Sequence, residues 1–160
     1  MEQRTPPRRR LQRRPRCKNC SHKPALPAER FCSQRCGFIY IRELVATADE
    51  QVIITALYQI THMAHPDGLR VVRIYLEHPN WLIQLHAVQG LGRMGNDDDI
   101  DDLVRMLRHQ KYWIRLRAAE ALAKLPTMTA SRLIAIRDAQ RDRYARDILQ
   151  EVIAQEEVAA

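Results

Sequence analysis

The chain has 160 residues, 46% of them hydrophobic, with 6% aromatics and five glycines. That suits one ordinary domain, or a small module beside a modest one, and argues against a β-sandwich or a glycine-rich nucleotide fold. The formal net charge of +7 is unevenly placed: residues 1–36 hold 11 Lys and Arg against Glu2 and Glu29, which leaves 15 basic and 17 acidic residues for the rest of the chain. Attraction to a polyanion should therefore act through the N-terminal quarter. No apolar run reaches the roughly 18 residues of a membrane span, so no membrane association is expected. The basic N-terminus has no apolar h-region of a secretory signal, and Pro6, Pro7 and Pro15 spoil the amphipathic helix of a transit peptide. A cytoplasmic location is the resulting expectation.

Taken in chain order, residues 1–16 (MEQRTPPRRRLQRRPR) come first, with seven Arg and almost nothing apolar. Such a segment cannot bury enough surface to offset its ordering entropy, so it reads as a disordered arm. Arg8, Arg9, Arg10, Arg13, Arg14 and Arg16, with Lys18 just beyond, are candidates for contacts to nucleic-acid phosphates. A solvated tail that only keeps the chain in solution is the competing reading.

All four cysteines fall in CKNCSHKPALPAERFCSQRC, as Cys17-x2-Cys20 and Cys32-x3-Cys36. A Cys-x2-Cys turn presents two thiolates to one ion, and four thiolates suit tetrahedral zinc. Nothing marks an oxidising compartment, which disfavours disulfides, and a redox pair would need a thioredoxin-like surround. The stretch from Gly37 to Ala46 looks helical, with Ser33 a candidate N-cap, so Cys36 would sit in the first turn, where partial positive charge favours thiolate. This layout resembles a treble-clef zinc finger, and FCSQRC is similar to the motif of FCS-type fingers and of the small bacterial zinc-binding gyrase inhibitors. The resemblance covers residues 17 to about 42 and implies that Cys17, Cys20, Cys32 and Cys36 bind one zinc ion. With four protein ligands the site is closed, hence structural. The inhibitor function does not carry over, because little of that family is present beyond the cysteine frame. The finger with its helix is assigned residues 17–46. The apolar set Phe38, Ile39, Ile41 and Leu44 exceeds what a finger helix needs and predicts packing on the next segment.

The remainder, 47–160, repeats itself. VIITALYQITHM (52–63), IQLHAVQGLGRM (83–94) and IRLRAAEALAKL (114–125) align at steps of 31 residues. Their apolar columns are Val52/Ile83/Ile114, Ile54/Leu85/Leu116, Ala56/Ala87/Ala118 and Ile60/Leu91/Leu122. The stretches LRVVRIYLEH (69–78) and IDDLVRMLRH (100–109) align at the same step, whereas 129–140 fits less well and 142–155 only loosely. Apolar spacing of three and four is helical, and a period near 30 with two helices per unit signals an all-α solenoid. The expectation is three helix pairs and one closing helix. LHAVQGLGRMGNDDDIDDLVRML (85–107) resembles bacterial-type HEAT-like repeats, a resemblance that covers about residues 49 to 155.

Other residues invite chemistry but have plainer readings. Asp97, Asp98, Asp99, Asp101 and Asp102 read as the N-terminal cap of a helix, since the glycine and closing glutamate of an EF-hand are missing. His78 and His109, one repeat apart, would complement the negative ends of two helices, as would His62, Arg93 and Lys124 one helix earlier. Trp81 and Trp113 fall at helix starts, where they either pack between repeats or, if exposed, anchor a partner. The HEAT-like resemblance implies first an interaction or scaffold protein, monomeric on its own and non-enzymatic, binding a protein partner on a concave face, with the finger and arm adding affinity or address. An RNA- or DNA-associated factor is the alternative, and a HEAT-like lyase or glycosylase the second alternative.

Overall fold

The computed structural model describes residues 33–47, 49–63 and 65–159. Among them are eight α-helices and no strand: α1 (Gln34–Thr47), α2 (Glu50–Met63), α3 (Gly68–Ile74), α4 (Trp81–Met94), α5 (Ile100–Met106), α6 (Tyr112–Ala123), α7 (Ala130–Ala139) and α8 (Arg143–Ala159). A 3₁₀ turn, Tyr75–Glu77, prolongs α3, and another, Asp97–Asp99, leads into α5. The chain divides into two compact units, Met1–Tyr40 and Ile41–Ala160, with the boundary inside α1.

In the first unit the described residues begin at the helix start. Ser33 Oγ accepts the Cys36 N–H at 3.2 Å, the N-cap arrangement that its position suggests, and Cys36 falls in the first turn. In the second unit α1 ends with Ile41 and Val45 buried, and the Tyr75 hydroxyl donates to the Val45 carbonyl at 3.0 Å.

The rest of the second unit is built in two layers. The long helices α2, α4, α6 and α8 lie side by side, each against the next, and each short helix α3, α5 and α7 packs on the long helix that follows it. The closest hairpins are therefore short-then-long, α3–α4, α5–α6 and α7–α8, one helix out of phase with a long-then-short pairing. Three of the four apolar columns fill the space between the layers, while Ile54, Leu85 and Leu116 are half-buried. Ile60, Leu91 and Leu122 are fully buried, as are Ala87 and Ala118 with Ala56 close behind. Ile83, Ile114 and Ala145 continue one column into α8, and Ala118 is followed 31 residues on by buried Leu149. Thus α8 keeps the register of α4 and α6. Gly90 permits the close approach: a Cβ there would lie 2.9 Å from Val72 Cγ1 and 3.0 Å from Thr61 Oγ1.

The poor match of residues 129–140 has a simple cause. Val72 and Leu103 are fully buried one repeat apart, but the next buried residue is Leu133, one position early. The step from Leu122 to Leu133 is one residue shorter than that from Leu91 to Leu103, and α8 restores the register, since α4, α6 and α8 begin at Trp81, Tyr112 and Arg143.

Two polar columns tie the layers. Asp49, Asn80 and Asp142 each accept a backbone N–H at the start of α2, α4 and α8, at 3.0, 2.9 and 2.8 Å. At the fourth residue of α4, α6 and α8, Gln84, Arg115 and Arg146 reach back to the last carbonyls of the preceding short helix or its exit: Gln84 to Leu76 (3.1 Å), Arg115 to His109 (2.8 Å) and Arg146 to Gln140 (3.2 Å). Those carbonyls have no intrahelical donor, so the column satisfies them while stitching each hairpin closed. The acidic turn works similarly. Asn96 and Asp99 form a reciprocal capping box, and the fully buried Asp99 carboxylate takes Arg73 Nε at 2.7 Å and Nη2 at 3.1 Å.

Candidate functional site

The cap column is broken once. Residue 111 occupies the position of Asp49, Asn80 and Asp142, yet Lys111 offers no capping oxygen and α6 starts without a side-chain cap. A missing cap gives up about 1 kcal/mol. The Lys111 ammonium instead lies 5.7 Å from the centroid of the Trp81 ring, within cation–π range.

Around it lies a ridge of large side chains at the starts of the long helices. Trp81 and Tyr112 open α4 and α6; one residue on, Leu82, Trp113 and Tyr144 stand one repeat apart. Trp113 is 54% exposed, Tyr144 66% and Tyr112 45%, among the most exposed large apolar groups of the described residues. The Tyr112 and Trp113 rings meet edge to face at 5.4 Å. Arg115 stands between neighbouring rings, its guanidinium carbon 5.9 Å from the Tyr112 centroid and 5.4 Å from that of Tyr144. Because its Nη1 also donates to the His109 and Gln110 carbonyls, the rings rest on a fixed cation rather than a swinging one. Such a surface, Tyr and Trp held rigidly over Arg and Lys, has the composition of protein-binding hot spots.

The first repeat lacks this feature. Glu50 and Gln51 occupy the positions of Trp81 and Leu82, and Glu50 accepts the Asn80 side chain at 2.7 Å. The ridge therefore spans α4, α6 and α8 only.

His78 and His109 stand at the ends of the short helices as expected, His78 as the C-cap of Tyr75–Glu77, and there their rings bond to the turn that follows. The Nδ1 of each accepts the backbone N–H two residues on, Asn80 at 3.1 Å and Lys111 at 3.0 Å, closing the turn into the next long helix. Burial, then the charges of Arg115 and Lys111, push the His109 pKa below the ordinary imidazole value. His62 also meets the expectation: its Nδ1 donates to the Tyr58 carbonyl at 2.9 Å in the last turn of α2. The acidic residues pair with cations: Asp97 with Arg132, Asp99 with Arg73 and Asp102 with Arg105. Among the described residues no group of three or more His, Cys, Asp or Glu is placed to hold a metal ion.

Of the other residues singled out from the sequence, Arg8, Arg9, Arg10, Arg13, Arg14, Arg16, Lys18, Cys17, Cys20 and Cys32 lie outside the described residues. Cys36 is half-buried in the first turn of α1. Trp81 is half-buried beneath Lys111 and Trp113 is exposed, so the two tryptophans divide the roles of support and contact. Tyr144 stands 31 residues beyond Trp113 in the sequence itself, whereas Tyr112, Leu82 and the cations under the rings do not stand out there. The signal was present in the 31-residue step, had it been followed on polar and exposed positions as well as buried ones.

A helical-hairpin repeat with a 31-residue step and a two-layer core defines an α-solenoid. The chain belongs to the HEAT repeats family, which matches residues 41–123 and 74–155. No curated protein matches the chain. No helix among the described residues is long and apolar enough to cross a membrane.

Proposed function

We propose that this is a non-enzymatic interaction protein whose solenoid binds a protein partner through the ridge on α4, α6 and α8. The observation that carries the reading is the exposed column Leu82, Trp113 and Tyr144. Large apolar side chains recur there at repeat register while contributing nothing to the core. The uncapped α6 supports it, because local stability is given up where Lys111 supports a ring. HEAT repeats commonly serve protein interaction, which agrees in kind.

The N-terminal segments are proposed to add address or affinity. Cys17, Cys20, Cys32 and Cys36 would hold one structural zinc ion; the capped helix start at Ser33, which puts Cys36 in the first turn of α1, supports this reading. Zinc content of the reduced protein tests this directly, with about one ion per chain expected and its loss in a Cys36→Ser variant.

The ridge is tested by affinity purification of the full chain with and without nuclease, beside a Trp113→Ala/Tyr144→Ala variant of unchanged circular dichroism. A protein partner that survives nuclease and is lost with the double variant is expected. Recovery of nucleic acid alone would favour the arm and finger as the working surface. Retention of the partner by the double variant would move the site off the ridge.

A further inference from the structure

The long helices carry a second column at their other ends. α2, α4 and α6 finish on His62, Arg93 and Lys124, one repeat apart, and these line a groove of about 420 Å³. Counted along α4, Trp81 and Arg93 are about 18 Å apart at 1.5 Å per residue, so the groove is separate from the ridge. Its floor is made of small residues where two helices nearly touch: a Cβ on Gly92 would come 3.0 Å from Ala121 Cα. Its walls include Tyr58, His86 and the Arg117–Glu120 ion pair (2.6 Å).

The charges do not cancel. Glu120 is engaged by Arg117, while Arg93 and Lys124 are exposed and have no ion-pair or side-chain hydrogen-bond partner among the described residues. The densest acidic run, Asp97 to Asp102, lies on the turn into α5, in the other layer. Two free cations therefore face a groove with an apolar floor, although residues 37–160 as a whole carry more acidic than basic side chains.

We propose that this groove binds an extended acidic segment of a partner protein, laid across the ends of α2, α4 and α6. The spacing fits. Axes of packed helices lie about 8–10 Å apart, and an extended chain advances about 3.3 Å per residue. Carboxylates three positions apart would meet Arg93 and Lys124 on successive repeats, with the side chains between resting on Tyr58 and Ala121. A long uniform polyanion such as nucleic acid fits less well, because residues 37–160 carry more acidic than basic side chains and Glu120 sits in the groove wall.

The test uses the full chain and a fluorescein-labelled dodecapeptide with Glu at every third position and Ser or Gly between, with Gln in place of Glu as control. Binding is followed by anisotropy at about 0.15 M salt, where long-range attraction is screened. A benzophenone at the peptide centre locates it by cross-linking and mass spectrometry. This step separates the groove from the basic arm. The Glu peptide should bind, with cross-links in α2, α4 or α6. The Gln control and an Arg93→Glu/Lys124→Glu variant should each weaken binding by about tenfold or more. An Arg93→Gln/Lys124→Gln variant should fall between, and Trp113→Ala should change nothing. Unchanged affinity of the charge-reversed variant, or cross-links confined to residues 1–36, overturns the proposal. So does a single-stranded oligonucleotide that displaces the peptide and itself depends more strongly on Arg93 and Lys124.

Discussion

Two columns of the solenoid share one period and meet opposite environments. Ile60, Leu91 and Leu122 are fully buried between the layers. Leu82, Trp113 and Tyr144, at the starts of the long helices, project into solvent. Burial of apolar surface explains the first column and offers nothing to the second. Stacking of repeats does not call for large apolar side chains on an exposed column, and the first repeat has Gln51 at that place.

Substitutions in the two columns should differ sharply in their effect on stability. The largest effect is expected in the buried column: Leu91→Ala should lower unfolding stability by about 2–5 kcal/mol through the cavity it leaves. Trp113→Ala should change it by no more than about 0.5 kcal/mol. Denaturant titration of the two variants decides the matter, and equal losses would make the ridge structural. Next comes the clamp beside the core. Asp99→Ala strands the Arg73 guanidinium and opens the capping box, and about 3 kcal/mol should be lost. The ridge itself should show the reverse sign. Lys111→Asn restores the cap that α6 lacks and should add about 1 kcal/mol in the same titration, while weakening partner capture because Trp81 loses its cation.

The smallest effect is a pH slope. Burial holds His86 and His109 below the ordinary imidazole pKa, so the folded chain takes up their protons less readily than the unfolded one. Stability from this source is full above the unfolded value of about 6.5 and declines as pH falls through it toward the folded values. Melting temperatures between neutral and mildly acid pH should show the decline. His109→Asn, which keeps an acceptor for the Lys111 N–H but cannot titrate, should flatten part of it.

Much of this architecture is legible in the chain itself. The 31-residue step, the buried columns, the Ser33 helix start and the capping role of the Asp97–Asp102 turn all follow from local chemistry, because each rests on neighbours along one helix or one turn. What escaped depends on distances between helices. The one-residue slip at Leu133 belongs to a helix whose register only packing reveals. The histidines stand at helix ends as expected, but that their Nδ1 atoms close the next turn is set by the backbone geometry around Pro79 and Gln110. Trp81 and Trp113 stood out as residue types, but which is support and which is contact depends on where Lys111 and Arg115 reach.

Arg115 joins two jobs in one side chain: it satisfies the carbonyls that end the α5 hairpin arm and steadies the Tyr112 and Tyr144 rings. Anything gripping those rings also holds that guanidinium in place. Occupancy of the ridge should then be felt as reduced breathing of the α5–α6 hairpin, visible as slowed amide exchange at its inner turns. By thermodynamic reciprocity a variant that loosens this hairpin must release the partner more readily, even if it leaves every ring untouched.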